Sequence, residues 1–387
     1  MPRILFVAAH RPDRSPSQRY RFEQYADYWR RHGFDHEYAW LIDEKEDGKF
    51  YSKGKILAKA GIFLKGWWRR YRQVARAKDF DLILLQREAF MTGSTRFERK
   101  LAASGVPVIF DFDDAIWRMD VSDANRRLSW LKDPSKTIRI LPLAKLVIAG
   151  NAYLADHARQ YNPAVEVIPT TIDTDHYVPT PAVPRADGKV VIGWTGSYTS
   201  LTHLRWALPM LRRLHQQWPD RILFRVISDR DLEAPGLPVE SLRWSSAREV
   251  EDLAGIDIGI MPMPDDEWSR GKCGFKGLQY MGMGKAVVLS DVGVNRSIVQ
   301  DGANGFLART EEEWLTKLGQ LIADADLRAR IGRAARSTVE ERYSVKAWRD
   351  RYLELFQRSL TGDRTPYTNK KHGDHDRTEE DRAHRHA

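Results

Sequence analysis

The sequence has a single cysteine, Cys273, among 387 residues. That excludes an intramolecular disulfide framework and a cysteine-built zinc cage, and it predicts a cytosolic compartment. No apolar run reaches the roughly 18 residues that a spanning helix requires. The start, Met1 to Ala8, is too short and too soon charged, at Arg3, for a secretory leader, and it reads as a buried first strand. Acidic side chains are missing from residues 51–78, which carry Lys53, Lys55, Lys59, Lys65, Arg69, Arg70, Arg72, Arg76 and Lys78. These equal the whole surplus of +9 left by 62 Lys+Arg against 53 Asp+Glu, so the rest of the chain is neutral on balance. Where the surplus sits bears on whether the anionic partner is nucleic acid, a membrane surface or a phosphorylated substrate.

Hydrophobic residues at 42% and charged residues at 30% are the balance of a globular protein, and the length predicts about two domains. Short apolar runs at 4–8, 82–85, 108–112, 146–149 and 165–169 read as strands. A second series follows at 190–194, 222–227, 256–261, 286–290 and 305–308. Several are Val/Ile-rich without alternation, as in strands buried on both faces of a parallel sheet. Amphipathic segments lie between them. In 201–218, Leu201, Leu204, Leu208, Leu211 and Leu214 share one face, and Pro209 predicts a kink. The alternation predicts doubly wound α/β architecture, twice over. The expected layout is an N-terminal domain at 1–171, a linker at 172–188 and a C-terminal domain at 189–344. A helix at 345–360 closes the globular part, with packing back on the first domain as one option. Residues 361–387, with six basic and six acidic side chains, read as a disordered tail. The tail's His372, His375, His384 and His386 leave metal binding as the alternative.

Two motifs in the second half carry chemistry. Gly193-Trp194-Thr195-Gly196-Ser197 runs from a strand through a small-residue turn into a helix, where exposed amides favour phosphate. A plain structural turn is the competing reading. Residues 267–290 place Lys272, Gly274, Lys276 and Gln279 around the start of a short helix before a buried strand. The two lysines can face a diphosphate, and Gln279, one turn on, can face ribose hydroxyls. An ordinary basic helix end is the alternative. Gly282 and Gly284 each weaken an exposed helix by about 1 kcal/mol, so they predict tight packing.

This half resembles the donor-binding domain of retaining glycosyltransferases with the GT-B fold, in the large sequence family four. The carriers are Leu278-Gln279-Tyr280-Met281, Gly284-Lys285-Ala286-Val287-Val288 and Asp301-Gly302-Ala303-Asn304-Gly305-Phe306. The family pattern has two glutamates here. Gln279 stands at the second, and Gly271 at the first. The likeness is clear over about 185–345 and architectural before that. It implies two facing Rossmann-like domains with the donor in the cleft between them. It implies hexose transfer from a nucleotide sugar with retention and no obvious enzyme nucleophile. It assigns the donor to Gly196, Ser197, Lys272, Gly274, Lys276 and Gln279, and puts Trp244 near the nucleobase, where a core tryptophan is the preferred reading. No metal is expected, because helix dipole and basic residues offset the leaving diphosphate. The missing glutamate motivates a second hypothesis, a catalytically silent nucleotide-sugar binder or partner subunit.

The first half should hold the acceptor. Asp111-Phe112-Asp113 formally fits a metal motif of the other glycosyltransferase fold, and a structural role is preferred. Asp113 and Asp114 are candidates for binding or deprotonating an acceptor hydroxyl, with helix capping as the alternative for Asp114. The basic first loop, with Arg11, Arg19 and Arg21, and the rim residues Arg87 and Glu88, are candidates for an anionic acceptor, a solvated loop with Ser17 as helix cap being the alternative for the loop. On a helical projection of 55–78, Ile56, Ala60, Phe63, Trp67, Tyr71 and Val74 form one stripe, with Arg69, Arg72 and Arg76 opposite. With the adjacent Trp67 and Trp68, this reads as an interfacial helix on anionic lipid, the alternative being a stripe packed into the core. The resulting expectation is an enzyme peripheral to the inner membrane face, acting on a lipid-linked or surface-polysaccharide acceptor. Interleaved basic and aromatic residues also suit nucleic acid, but no nucleic-acid module pattern appears.

Overall fold

The computed structural model describes residues 1–51, 56–118, 133–180 and 185–361. Two parallel six-stranded sheets organise the chain. The first contains β1 (Arg3–Val7), β2 (Asp35–Ala39), β3 (Leu82–Gln86), β4 (Val108–Phe112), β5 (Leu146–Ala149) and β6 (Val165–Val167), in the order β2-β1-β3-β4-β5-β6. The second contains β7 (Val190–Thr195), β8 (Ile222–Ser228), β9 (Val239–Arg243), β10 (Ile258–Met261), β11 (Ala286–Ser290) and β12 (Phe306–Ala308), in the order β12-β11-β10-β7-β8-β9. The interior strands β3, β4, β7, β10 and β11 are buried along their whole length, as their unbroken apolar runs require. The polar sequences of β2 and β9 are explained by their places at sheet edges, where one side needs no partner.

The chain crosses between the halves at one paired point. The Ile172 amide donates to the Tyr343 carbonyl at 2.8 Å, and the Val345 amide donates back to the Ile172 carbonyl at 3.0 Å. Beyond this crossing, the helix Val345–Thr361 returns to the first sheet. Its Tyr352, Leu355 and Phe356 join a core with Ile4, Phe6 and Trp29. Phe356 meets Trp29 edge-on at 4.9 Å between ring centroids, and the Tyr352 hydroxyl donates to the Arg21 carbonyl at 2.8 Å. The helix Leu201–Gln217 contains the exposed Pro209 and turns Leu201, Leu204, Leu208, Leu211 and Leu214 into the second domain's core. Gly282 packs closely, with room for a Cβ only 3.2 Å from Ile172.

The helix Ile56–Ala75 departs from its helical projection. Phe63 and Trp67 pack on the first domain's core and Val74 is buried within it, so the stripe assigned to lipid faces largely inward. The outward face carries another apolar row one step away: Leu57 at 89% exposure, Leu64 at 62%, Trp68 at 59% and Tyr71 at 37%. Two of the arginines proposed for a membrane surface are paired with carboxylates of this chain. Arg69 bonds the Leu41 carbonyl and pairs with Asp43 and Glu46, while Arg76 pairs with Glu37 and Asp79. The acids missing from 51–78 thus come from neighbouring segments in space. Arg72 is exposed and has no carboxylate partner among the described residues. Arg70 is fully buried and donates to the carbonyls of Ala8, Ala39 and Ala89 at 2.6, 2.9 and 2.7 Å, tying together the connections that leave β1, β2 and β3. Burial pulls its guanidinium down to about 9. Lys53, Lys55 and the tail after Thr361 lie outside the described residues. Within those residues, no helix is long and apolar enough to cross a membrane.

Candidate active site between the two sheets

In a parallel α/β sheet, ligands bind beyond the carboxyl ends of the strands. Here those ends of the two sheets face each other. On the second domain, β7 ends at Thr195 and Gly196 follows. A Cβ on Gly196 would lie 2.5 Å from Ser200 Oγ and 2.7 Å from Lys276 Cε, so only glycine leaves space for the Lys276 side chain. Ser197 is exposed beside it. Gly274, at φ +67°, turns the chain into the helix Phe275–Gly282, whose first turn carries Lys276. The Lys276 ammonium lies 5.4 Å from the Trp194 ring centroid. Burial and the neighbouring Lys272 pull it down to about 8. His203, on the Leu201–Gln217 helix, is pulled down to about 4 by burial and then by Lys276 and Lys272, so it is a neutral neighbour of the two lysines. Sequence reasoning passed over His203 because it stands in an ordinary amphipathic helix. A buried lysine whose charged form is disfavoured, a second lysine and a helix start at one point suit a bound anion.

Lys272 reaches across to the first domain. Its ammonium donates to Asp114 at 2.8 Å and lies 4.4 Å from the Trp268 ring centroid. Asp114 also receives Arg87. Burial alone would raise the Asp114 carboxyl, but Lys272 and Arg87 hold it below the usual range. Asp113 receives Arg87 Nε at 2.9 Å and the Ser17 hydroxyl at 2.7 Å. Its carbonyl accepts the Cys273 thiol at 3.1 Å. Asn151 Nδ2 donates to the Lys272 carbonyl at 3.0 Å, and Gly271 sits so close to Ala115 that a Cβ would fall 2.6 Å from that residue's own. Asp113 and Asp114 are therefore anchors of the domain contact. Both carboxylates are engaged by cations and donors of this chain. Among the described residues, no group of three His, Cys, Asp or Glu side chains is placed to hold a metal ion.

A second bridge centres on Glu249, which sequence reasoning missed. The side chain is 4% exposed. It accepts from Arg19 at 3.0 Å, Tyr20 at 3.1 Å, Tyr177 at 2.9 Å, Trp244 Nε1 at 3.0 Å and Gln279 Nε2 at 3.0 Å. First domain, linker and second domain all contribute. Burial alone would raise this carboxyl, but Arg19 and these donors hold it below the usual range. Gln279 is 1% exposed, so in this state it serves Glu249 rather than a ribose, and the Trp244 side chain is likewise turned inward.

The proposed acceptor residues divide. Arg21 is 1% exposed, pairs with Asp111 at 2.6 Å and donates to the Ile168 carbonyl, so it is a buried structural ion and not an acceptor ligand. Arg19 is held by Glu249. Arg11 pairs with Asp47 at 3.3 Å and Glu44 at 3.6 Å. Glu88 pairs with Lys136 at 3.1 Å on the outer rim. Arg87, at φ +60°, lies between the two aspartates. The left-handed backbone there is strained for an arginine and fits a functional constraint on where its guanidinium points.

Residues 189–324, from β7 through the Glu311–Ala323 helix, match the family model of glycosyl transferases group 1. The chain is a glycosyltransferase of the GT-B fold. No curated protein matches its sequence. The enzyme resembles sucrose-phosphate synthase from Thermosynechococcus elongatus at TM-score 0.68 and 12% identity, over 94% of this chain and 100% of that one. It resembles Anabaena Alr3699/HepE in complex with UDP-glucose at TM-score 0.65 and 15% identity, over 92% of this chain and 100% of that one. A glycosyltransferase from Rickettsia africae gives TM-score 0.64 and 14% identity, over 94% of this chain and 99% of that one. At such identities the likeness shows the fold, and the family match carries the activity class.

Proposed function

We propose that the enzyme transfers a hexose, with retention, from a nucleotide sugar to a lipid-linked or surface-polysaccharide precursor. The observation that carries this reading is the pocket of Lys276, Lys272 and His203 against the start of the Phe275–Gly282 helix. Lys276 and Lys272 carry the positive charge, His203 is neutral beside them, and Asp114 is the carboxylate that meets Lys272. A leaving diphosphate supplies an anion for both lysines. Lys276 and the helix amides stabilise the charge that grows on it as the glycosidic bond breaks, without a metal in the scheme. The diphosphate competes with Asp114 for Lys272, so donor binding loosens one of the two bridges between the domains. The UDP-glucose complex of Alr3699/HepE supports a nucleotide-sugar donor of this kind.

The acceptor reading is supported by the outward row Leu57, Leu64, Trp68 and Tyr71 next to exposed Arg72 and Lys65. Apolar and aromatic groups beside cations suit an anionic lipid surface, so the enzyme works at the inner face of the plasma membrane. The test is a thermal-shift panel of UDP-, GDP-, dTDP- and ADP-sugars, followed by transfer from the sugar that binds, with the product's anomeric configuration read by NMR. One stabilising donor, lost in Lys276→Ala, is expected. A flat panel overturns the donor reading, and an inverted product overturns retention.

A further inference from the structure

A concavity on the first domain lies apart from the residues discussed above. It is lined by Gly93, Ser94, Thr95, Arg96, Arg99 and Arg139 and has a volume of about 480 Å³. That falls within the roughly 300–1,000 Å³ of small-ligand sites. Arg139 is partly neutralised: its guanidinium pairs with Asp133 at 2.8 Å and donates to the Gly93 carbonyl at 2.7 Å. Arg96 and Arg99 occupy successive turns of the helix Arg96–Ala102, and among the described residues neither has a carboxylate within ion-pair distance. Three guanidiniums around one hollow with one carboxylate leave a local positive excess that a bound anion would offset. Ser94 and Thr95 supply hydroxyls on the same wall.

Two placements give that anion a class. The connection that leaves β3 carries Arg87 at the interdomain contact and then reaches Gly93 and Thr95, so the hollow opens on the acceptor half. It also adjoins the Ile56–Ala75 helix. Arg96 lies 5.8 Å from the Trp67 ring centroid, and Lys100, one turn on, lies 4.7 Å from that of Tyr71. A lipid surface met by Leu64, Trp68 and Tyr71 would set its polar boundary beside these arginines.

We infer that the Arg96–Arg99–Arg139 hollow binds a phosphate group at the lipid–water boundary, carried either by the acceptor lipid or by a membrane phospholipid. Assigning the phosphate to the acceptor rests on the acceptor reading above; the anion site itself does not. Planar guanidiniums suit the site, because two forks can share one phosphate while the Trp67 face holds Arg96 in place.

The experiment uses the full-length enzyme and the double variant Arg96→Ala/Arg99→Ala. Both side chains are exposed, so the fold should survive, and an unchanged thermal shift with the nucleotide sugar verifies this. The probe is monomeric dihexanoyl phosphatidylglycerol, titrated by calorimetry, with inorganic phosphate as competitor. Wild type should bind the phospholipid at least tenfold more tightly than the variant. Displacement by inorganic phosphate shows that the phosphate group suffices; no displacement shows that the lipid headgroup is needed. Equal binding by both proteins, or no binding by wild type, overturns the inference. Transfer kinetics separate it from the acceptor reading. If the variant loses phospholipid binding while wild type glycosylates no phosphate-bearing lipid, the site stands and the acceptor reading falls. If wild type does glycosylate such a lipid, and KM and phospholipid binding match in both proteins, the site falls and the reading stands.

Discussion

Lys272 of the second domain donates to Asp114 of the first at 2.8 Å, in the place where the enzyme needs positive charge for a diphosphate. An internal carboxylate therefore competes with the donor. Asp114→Asn should lower the dissociation constant for the nucleotide sugar several-fold, because one competitor for Lys272 is gone while Arg87 keeps Asp113. Isothermal titration reads this directly. Weaker binding in the variant would show that Asp114 helps to seat the donor.

The Lys276 ammonium, pulled down to about 8, makes donor binding pH-dependent. A diphosphate beside it favours the charged form, so binding above about pH 8 should be accompanied by proton uptake. Titrations in buffers of different ionisation enthalpy at pH 9 should reveal that uptake, and Lys276→Met should abolish it. The sign for stability follows from the same shift. The folded value lies below the unfolded one of 10.5, so the destabilisation by this group is full below about 8 and is relieved as pH rises towards 10.5.

Arg70 should matter far more to stability than its neighbour Arg72. Arg70→Met strands the Ala8 and Ala89 carbonyls in the core and leaves the Ala39 carbonyl with the Ala8 amide alone. Each buried unsatisfied group costs about 1–3 kcal/mol. A loss of roughly 3 kcal/mol or more in urea unfolding is expected, against no measurable change for Arg72→Met. Equal midpoints for the two variants would refute the staple.

Membrane attachment should follow the outward row of the Ile56–Ala75 helix and not the arginines tied to Glu37, Asp43 and Glu46. Leu64→Glu with Trp68→Glu should release the protein from phosphatidylglycerol vesicles in a sedimentation assay and leave the melting temperature unchanged. Arg69→Glu with Arg76→Glu should lower the melting temperature instead. The reverse pattern would contradict the placement.

The two sheets were legible because their interior strands, such as 82–85 and 286–290, are apolar without interruption, and only parallel strands buried on both faces read that way. β2 has the sequence Asp-His-Glu-Tyr-Ala and belongs to the sheet only through pairing with β1, which no local pattern reveals. The helix at 56–75 has apolar residues on two faces, and a projection cannot say which meets the core; Phe63 and Trp67 do, Leu64 and Trp68 do not. Lys272, Gly274 and Lys276 could be picked out because they share one helix start. Glu249, His203 and Asn151 are brought to the cleft from distant elements, so their roles depend on tertiary placement. Arg21 looked like a loop cation and proved a buried partner of Asp111, because charge in a sequence carries no information about burial.

The central claim, that a nucleotide sugar seats its diphosphate at Lys276, is tested most directly by donor turnover. Release of nucleoside diphosphate from the stabilising nucleotide sugar, in excess acceptor, should be measured for wild type and Lys276→Ala, with circular dichroism as the fold control. The account predicts a loss of at least 100-fold in kcat/KM, about 2.7 kcal/mol of transition-state stabilisation, with the fold intact. Full activity in the folded variant would contradict it.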